Sequence, residues 1–107
     1  YDVIIEDGSH NAIHQIKSLA FCFLHNLKHG GLWVTEDLHC CENKFYWSDG
    51  IEKFEDTLLY FLKNLDNEEY MNSIDPATNW LHYIKSIKNL FGSVDIYDDK
   101  IAFITKK

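Results

Sequence analysis

No apolar run approaches the roughly 20 residues that a membrane-spanning helix needs, and no secretory leader opens the chain. A cytoplasmic setting follows as the expectation. A basic surplus is missing as well. Ten Lys and Arg against 17 Asp and Glu leave a formal net charge of -7, with no dense basic patch to pair with phosphates. Neither nucleic acid nor a membrane surface is an expected partner. Cysteine is sparse and odd in number: Cys22, Cys40 and Cys41, with no pair at the spacing of a zinc knuckle. They read as reduced thiols. Cys22 lies in an apolar helical pattern and reads as a buried structural thiol, while Cys40 and Cys41 beside His39 make a soft-metal candidate short of neighbouring ligands. There is one proline, Pro76, and there are no internal repeats or low-complexity tracts.

What is present describes a globular chain. Hydrophobic residues make up 46% and aromatics 15% of 107 residues, enough for one modest core and one domain at most. "YDVII" is β-branched and nearly continuously apolar, the pattern of a strand covered on both faces in a parallel sheet. Its opening at Tyr1 reads as mid-strand and suggests a piece of a longer protein. Apolar residues then recur at Ile13, Ile16, Ala20, Phe23 and Leu27, which is helical spacing, with Ser9 as the simplest cap. "KHGG" should stop that helix, Gly30 or Gly31 taking a left-handed cap, and "LWVTE" is the next strand. Strand, helix and strand in so few residues predict a parallel βαβ unit.

A second helix is expected from Ile51 through Leu65, a loop over "DNEEYMNSIDP", and a third helix from Ala77 to about Leu90. "SVDIY" and "IAFIT" around Asp98 and Asp99 predict a terminal antiparallel hairpin. The expected fold class is thus α/β.

Both predicted parallel strands run into a Glu-Asp pair, Glu6-Asp7 and Glu36-Asp37. Ligands in open α/β sheets sit outside the carboxyl ends of the strands. Neighbouring strands lie roughly 5 Å apart, so up to four carboxylates would crowd one crevice. A hard divalent cation with oxygen ligands relieves that repulsion, and magnesium suits carboxylates better than zinc does. The plainer alternative is a set of solvated turn and cap residues. His10, at the expected start of the first helix, is placed to accept a proton, because the positive helix end disfavours its protonation. It could equally be an exposed helix-start residue. His10 with His14, and His25 with His29, are spaced one helical turn apart but lack an obvious third ligand for zinc. No Gly-x-Ser-x-Gly elbow surrounds Ser9.

Together, "YDVIIEDGSH", "LKHGGLWVTEDLH" and "SVDIYDDKIAFITKK" resemble the C-terminal half of a class I S-adenosylmethionine-dependent methyltransferase. Within that fold they are most similar to the magnesium-dependent sugar O-methyltransferases of macrolide biosynthesis and to cephalosporin-hydroxylase-like relatives. The resemblance implies a Rossmann-like sheet with the final hairpin strand beside "LWVTE". It implies magnesium on Asp7, Glu36 and Asp37, and cofactor contacts from Asp7, Gly8 and Ser9. His10 would be the general base that deprotonates a sugar hydroxyl held on the metal, after which the oxygen attacks the sulfonium methyl in line. Relatives often carry Asp where this chain has Glu6.

Nothing in the chain matches the glycine-rich loop or the ribose-holding acid of that fold. Residues 1–107 therefore read as a partial methyltransferase domain without its cofactor-binding half. Such a segment should bind S-adenosylmethionine negligibly, and its bare "YDVII" edge should favour self-association into a homo-oligomer. The expected acceptor is a sugar-like hydroxylated small molecule. The "CCENKFYWSDG" stretch either faces it through Phe45, Tyr46 and Trp47 or packs over the sheet. Two other functions compete: metal-assisted hydrolysis, which lacks an evident nucleophile or second metal, and a catalytically silent binding or assembly module.

Overall fold

The computed structural model describes residues 1–7, 11–48 and 50–107. Four strands form one mixed sheet: β1 (Val3–Glu6), β2 (Leu32–Thr35), β3 (Phe91–Tyr97) and β4 (Ile101–Lys106). Their spatial order is β1-β2-β4-β3. The β1 and β2 strands run parallel, with Glu6 opposite Thr35 at their carboxyl ends, and β4 runs antiparallel to both β2 and β3. The expected placement of the hairpin strand beside "LWVT" is therefore observed.

The helix α1 (Ala12–His25) joins β1 to β2 and lays Ala12, Ile16, Leu19 and Phe23 into the core. Against them stand Trp33 of β2 and Ala102 and Ile104 of β4, all on one face of the sheet. Phe23 meets Phe91 edge to face with ring centres 5.1 Å apart and Trp33 at 6.4 Å. Full burial of an aromatic or branched aliphatic side chain contributes about 1.5–3 kcal/mol, so this stripe is what holds α1 to the strands.

The opposite face differs from the two-sided cover that the apolar run of β1 predicted. Val3 is 51% and Ile5 61% exposed, because their face of β1 is left uncovered among the described residues while Ile4, on the other face, packs towards the core. Periodicity could not reveal this, since a run of branched residues reads the same whether one face or two are covered.

Helix ends also moved. Asn11, not Ser9, caps α1: its side chain accepts the amide of Ile13 at 3.0 Å. Ser9 lies outside the described residues. The far end stops at His25, and Gly30, with φ of 81°, turns the chain into β2 rather than capping the helix. Gly31 is needed for close approach, since a Cβ there would meet Leu27, the Lys28 carbonyl and the Asp2 carbonyl within 3 Å. Carbonyls at the end of α1 and just beyond it are taken instead by Lys106, whose ammonium donates to those of Phe23, Leu24 and Leu27 at 2.9, 3.0 and 2.6 Å.

The middle of the chain is broken into shorter pieces than the periodicity predicts. The expected second helix is a 3₁₀ turn at Phe54–Asp56 followed by α2 (Leu58–Lys63), restarted by Thr57 as N-cap. A short helix α3 (Glu68–Ser73), capped by Asn67, stands where a loop was expected. The third expected helix shrinks to α4 (Leu81–Lys85) and a 3₁₀ turn at Lys88–Leu90. At the hairpin, Asp98 and Asp99 both have positive φ, 53° and 52°, as a type I′ turn requires. Among the described residues no helix is long and apolar enough to cross a membrane.

Candidate functional site

The parallel ladder continues one step past β2, where the amide of Glu36 donates to the carbonyl of Glu6, the last residue of β1, at 3.1 Å. That bond brings the two acidic pairs to one edge of the sheet, as the strand-end pattern predicted. Asp7 is exposed and Glu36 half-buried, and their carboxyl groups are close enough to hydrogen-bond. This contact with Asp7, followed by the negative charge of Asp7, holds the Glu36 carboxyl above the ordinary range; partial burial and the charges of Asp37 and Glu6 add to it. Negative charges this close repel each other, and a cation between them would relieve the repulsion.

Asp37 sits in the left-handed region with φ of 57°, a conformation that Asp tolerates better than most residues. It bends the chain out of β2 into a 3₁₀ turn at Leu38–Glu42. The amide of Leu38 then donates to the carbonyl of Lys100 at 2.8 Å, pinning the turn to the β3-β4 hairpin.

Under this turn lies a residue that the pattern of acids did not point to. Gln15 of α1 is fully buried. Its Nε2 donates to the carbonyls of Glu36 and Asp37 at 3.3 and 3.2 Å and approaches Cys40 Sγ at 3.4 Å. Its Oε1 accepts the thiol of Cys41 at 3.3 Å. The available signal was a polar residue at a stripe position of α1, between Ala12 and Leu19, where an apolar one is the rule.

Cys40 and Cys41 are both buried. The neighbouring Cys41 thiol and burial push the Cys40 thiol far above its usual range, which suits a structural thiol rather than a reactive one. His39 is exposed beside them. His14, His25 and His29 are also exposed, and His29 Nδ1 lies 2.6 Å from the carbonyl of Lys107. Of the loop aromatics, Phe45 is 83% exposed, whereas Trp47 packs on the core and donates its indole N–H to the Cys41 carbonyl at 2.9 Å. The packing reading therefore holds for Trp47, and Phe45 stays outside the core. Gly8, Ser9 and His10 lie outside the described residues.

Among the described residues no three His, Cys, Asp or Glu side chains are already arranged to hold a metal ion. The approach of Asp7 to Glu36 nonetheless supplies two hard oxygen donors with a surplus of negative charge. In donor type and charge the pair suits magnesium, calcium or manganese rather than a soft metal.

No family model matches the chain, and no curated protein matches it in sequence. Solved structures do match. One is the MycE methyltransferase from the mycinamycin biosynthetic pathway in complex with Mg, SAH and mycinamycin VI, at a TM-score of 0.69 and 24% identity over 99% of this chain. Another is the same enzyme with Mg and SAH in its crystal form 2, at a TM-score of 0.68 and 26% identity, again over 99% of this chain. The chain spans about a quarter of the length of these structures, 25% and 26%. It therefore has the α/β fold of part of a methyltransferase, in agreement with the resemblance carried by its motifs.

Proposed function

We propose that this chain is the metal-side part of an S-adenosylmethionine-dependent, magnesium-dependent O-methyltransferase that acts in the cytoplasm on a sugar-like hydroxylated small molecule. The observation that carries this reading is the convergence of the Glu6-Asp7 and Glu36-Asp37 pairs at the carboxyl ends of neighbouring parallel strands, joined by the bond from the Glu36 amide to the Glu6 carbonyl. The structural likeness to an enzyme solved with Mg and SAH supports it.

In this reading Asp7, Glu36 and Asp37 hold the cation through carboxylate oxygens. When bound, the cation lowers the pKa of an acceptor hydroxyl and fixes its oxygen, and S-adenosylmethionine supplies the electrophilic methyl group. His10 takes the hydroxyl proton as general base, while Asp7, Gly8 and Ser9 border the cofactor. The exposed Phe45 offers a ring face on which an acceptor can stack.

Manganese binding by water-proton relaxation tests the proposal. The protein should bind manganese, magnesium should displace it, and Asp37→Asn should weaken binding at least about tenfold, the loss expected when one charged ligand becomes neutral. Absence of binding would remove the reason for the paired acids and overturn the metal-dependent reading.

A further inference from the structure

We infer that Gln15 is a positioning residue that fixes the backbone of the acidic turn and thereby aims the Glu36 and Asp37 carboxylates; this rests on the metal-binding role proposed above. The peptide units on either side of the Asp37 Cα are those whose carbonyls belong to Glu36 and Asp37. Both carbonyls accept from the single Nε2 of Gln15, at 3.3 and 3.2 Å. Anchoring both planes to one atom sets both dihedrals of Asp37, the residue that the turn holds at φ of 57°.

The amide can serve only in this orientation. Its Oε1 is engaged by the Cys41 thiol at 3.3 Å, and turning the amide over would set that oxygen against two carbonyl oxygens. Gln15 is itself rigid, fully buried and carried on α1 between core residues Ala12 and Leu19. Buried amides with every donor and acceptor engaged specify one local structure, and groups behind a ligand set govern how well it is presented. Glu36 is held from the other side by the carbonyl of Glu6, and Leu38 by that of Lys100. Gln15 supplies the third restraint, from beneath.

The test uses the full chain and two readouts. In nitrogen-proton spectra the Gln15 side-chain NH₂ should be protected from solvent exchange and should shift when magnesium is added. Gln15→Met keeps the side-chain length without a donor. It should speed exchange of the backbone amides around the turn and weaken manganese binding at least about tenfold, as losses behind a ligand set do. Phe91→Leu, a core truncation at the opposite end of the sheet, should leave manganese binding unchanged even though it lowers stability. A freely exchanging Gln15 NH₂ would overturn the inference, as would manganese binding by Gln15→Met equal to that of the parent. An equal loss of binding in Phe91→Leu would reduce Gln15 to a packing residue. If the parent binds no manganese, the functional proposal fails, and the two exchange measurements still decide whether Gln15 fixes the turn.

Discussion

Replacing Lys106 by Met keeps the apolar stem and removes the charge that closes α1. The side chain is 6% exposed, and its ammonium serves three carbonyls, two of them through buried bonds. Each buried carbonyl left without a donor costs about 1–3 kcal/mol. Loss of a cation at the negative end of a helix adds up to about 1 kcal/mol. Relief from burying an ammonium offsets part of this, so the expected loss is about 2–4 kcal/mol. Against a typical stability of about 5–15 kcal/mol, that is a large share. Urea unfolding followed by tryptophan fluorescence, to which buried Trp33 contributes, would measure it. A change smaller than about 0.5 kcal/mol, the usual range for surface substitutions, would refute the reasoning and show that water can replace the lysine.

The contact between Asp7 and Glu36 predicts a pH dependence. A carboxyl whose pKa is raised by folding adds stability below its unfolded value, and that stability is lost as pH rises through the folded value. Relative to Glu36→Gln, the unfolding midpoint of the parent should therefore fall as pH rises from the ordinary carboxyl range through the raised value of Glu36, and magnesium should restore it; parallel profiles would contradict the contact. At the sheet edge, Ile5→Lys should shift sedimentation from associated species towards monomer, since a charge on an exposed edge strand opposes pairing with another copy. A parent protein that is already monodisperse and monomeric would count against an adhesive edge.

The ends of the sheet were the most legible part of this chain. Apolar runs in "VII" and "LWV", separated by one stretch of helical periodicity, leave few topologies open, and Asp98-Asp99 marks the hairpin turn by its tolerance of positive φ. The acidic pairs were legible for the same reason, because the strand ends place them together. The middle was not. Apolar spacing from Ile51 to Leu65 reads as one helix, yet the Thr57 side chain accepts from the Tyr60 amide and starts a new helix there. Asn67 does the same for α3 by accepting the amide of Tyr70 at 3.0 Å. Such caps compete locally with continuing a helix, and only packing decides which one wins. Gln15 escaped notice because its partners are backbone carbonyls 21 and 22 residues away, and a carbonyl leaves no mark in a pattern of side chains.

The position of β4 bears on how the molecule is made. It is the last of the four strands to be synthesised, yet it lies between β2 and β3. Among these four strands, β2 has only β1 beside it until β4 is made, and β3 has none. The final turn of α1 also waits for Lys106, more than 80 residues after it leaves the ribosome. Pairing over such separations is slow, so these strands form an open sheet until β4 inserts. Chaperone dependence during synthesis should accordingly track the arrival of residues 101–106, and a chain stalled just before them should be the most prone to aggregate.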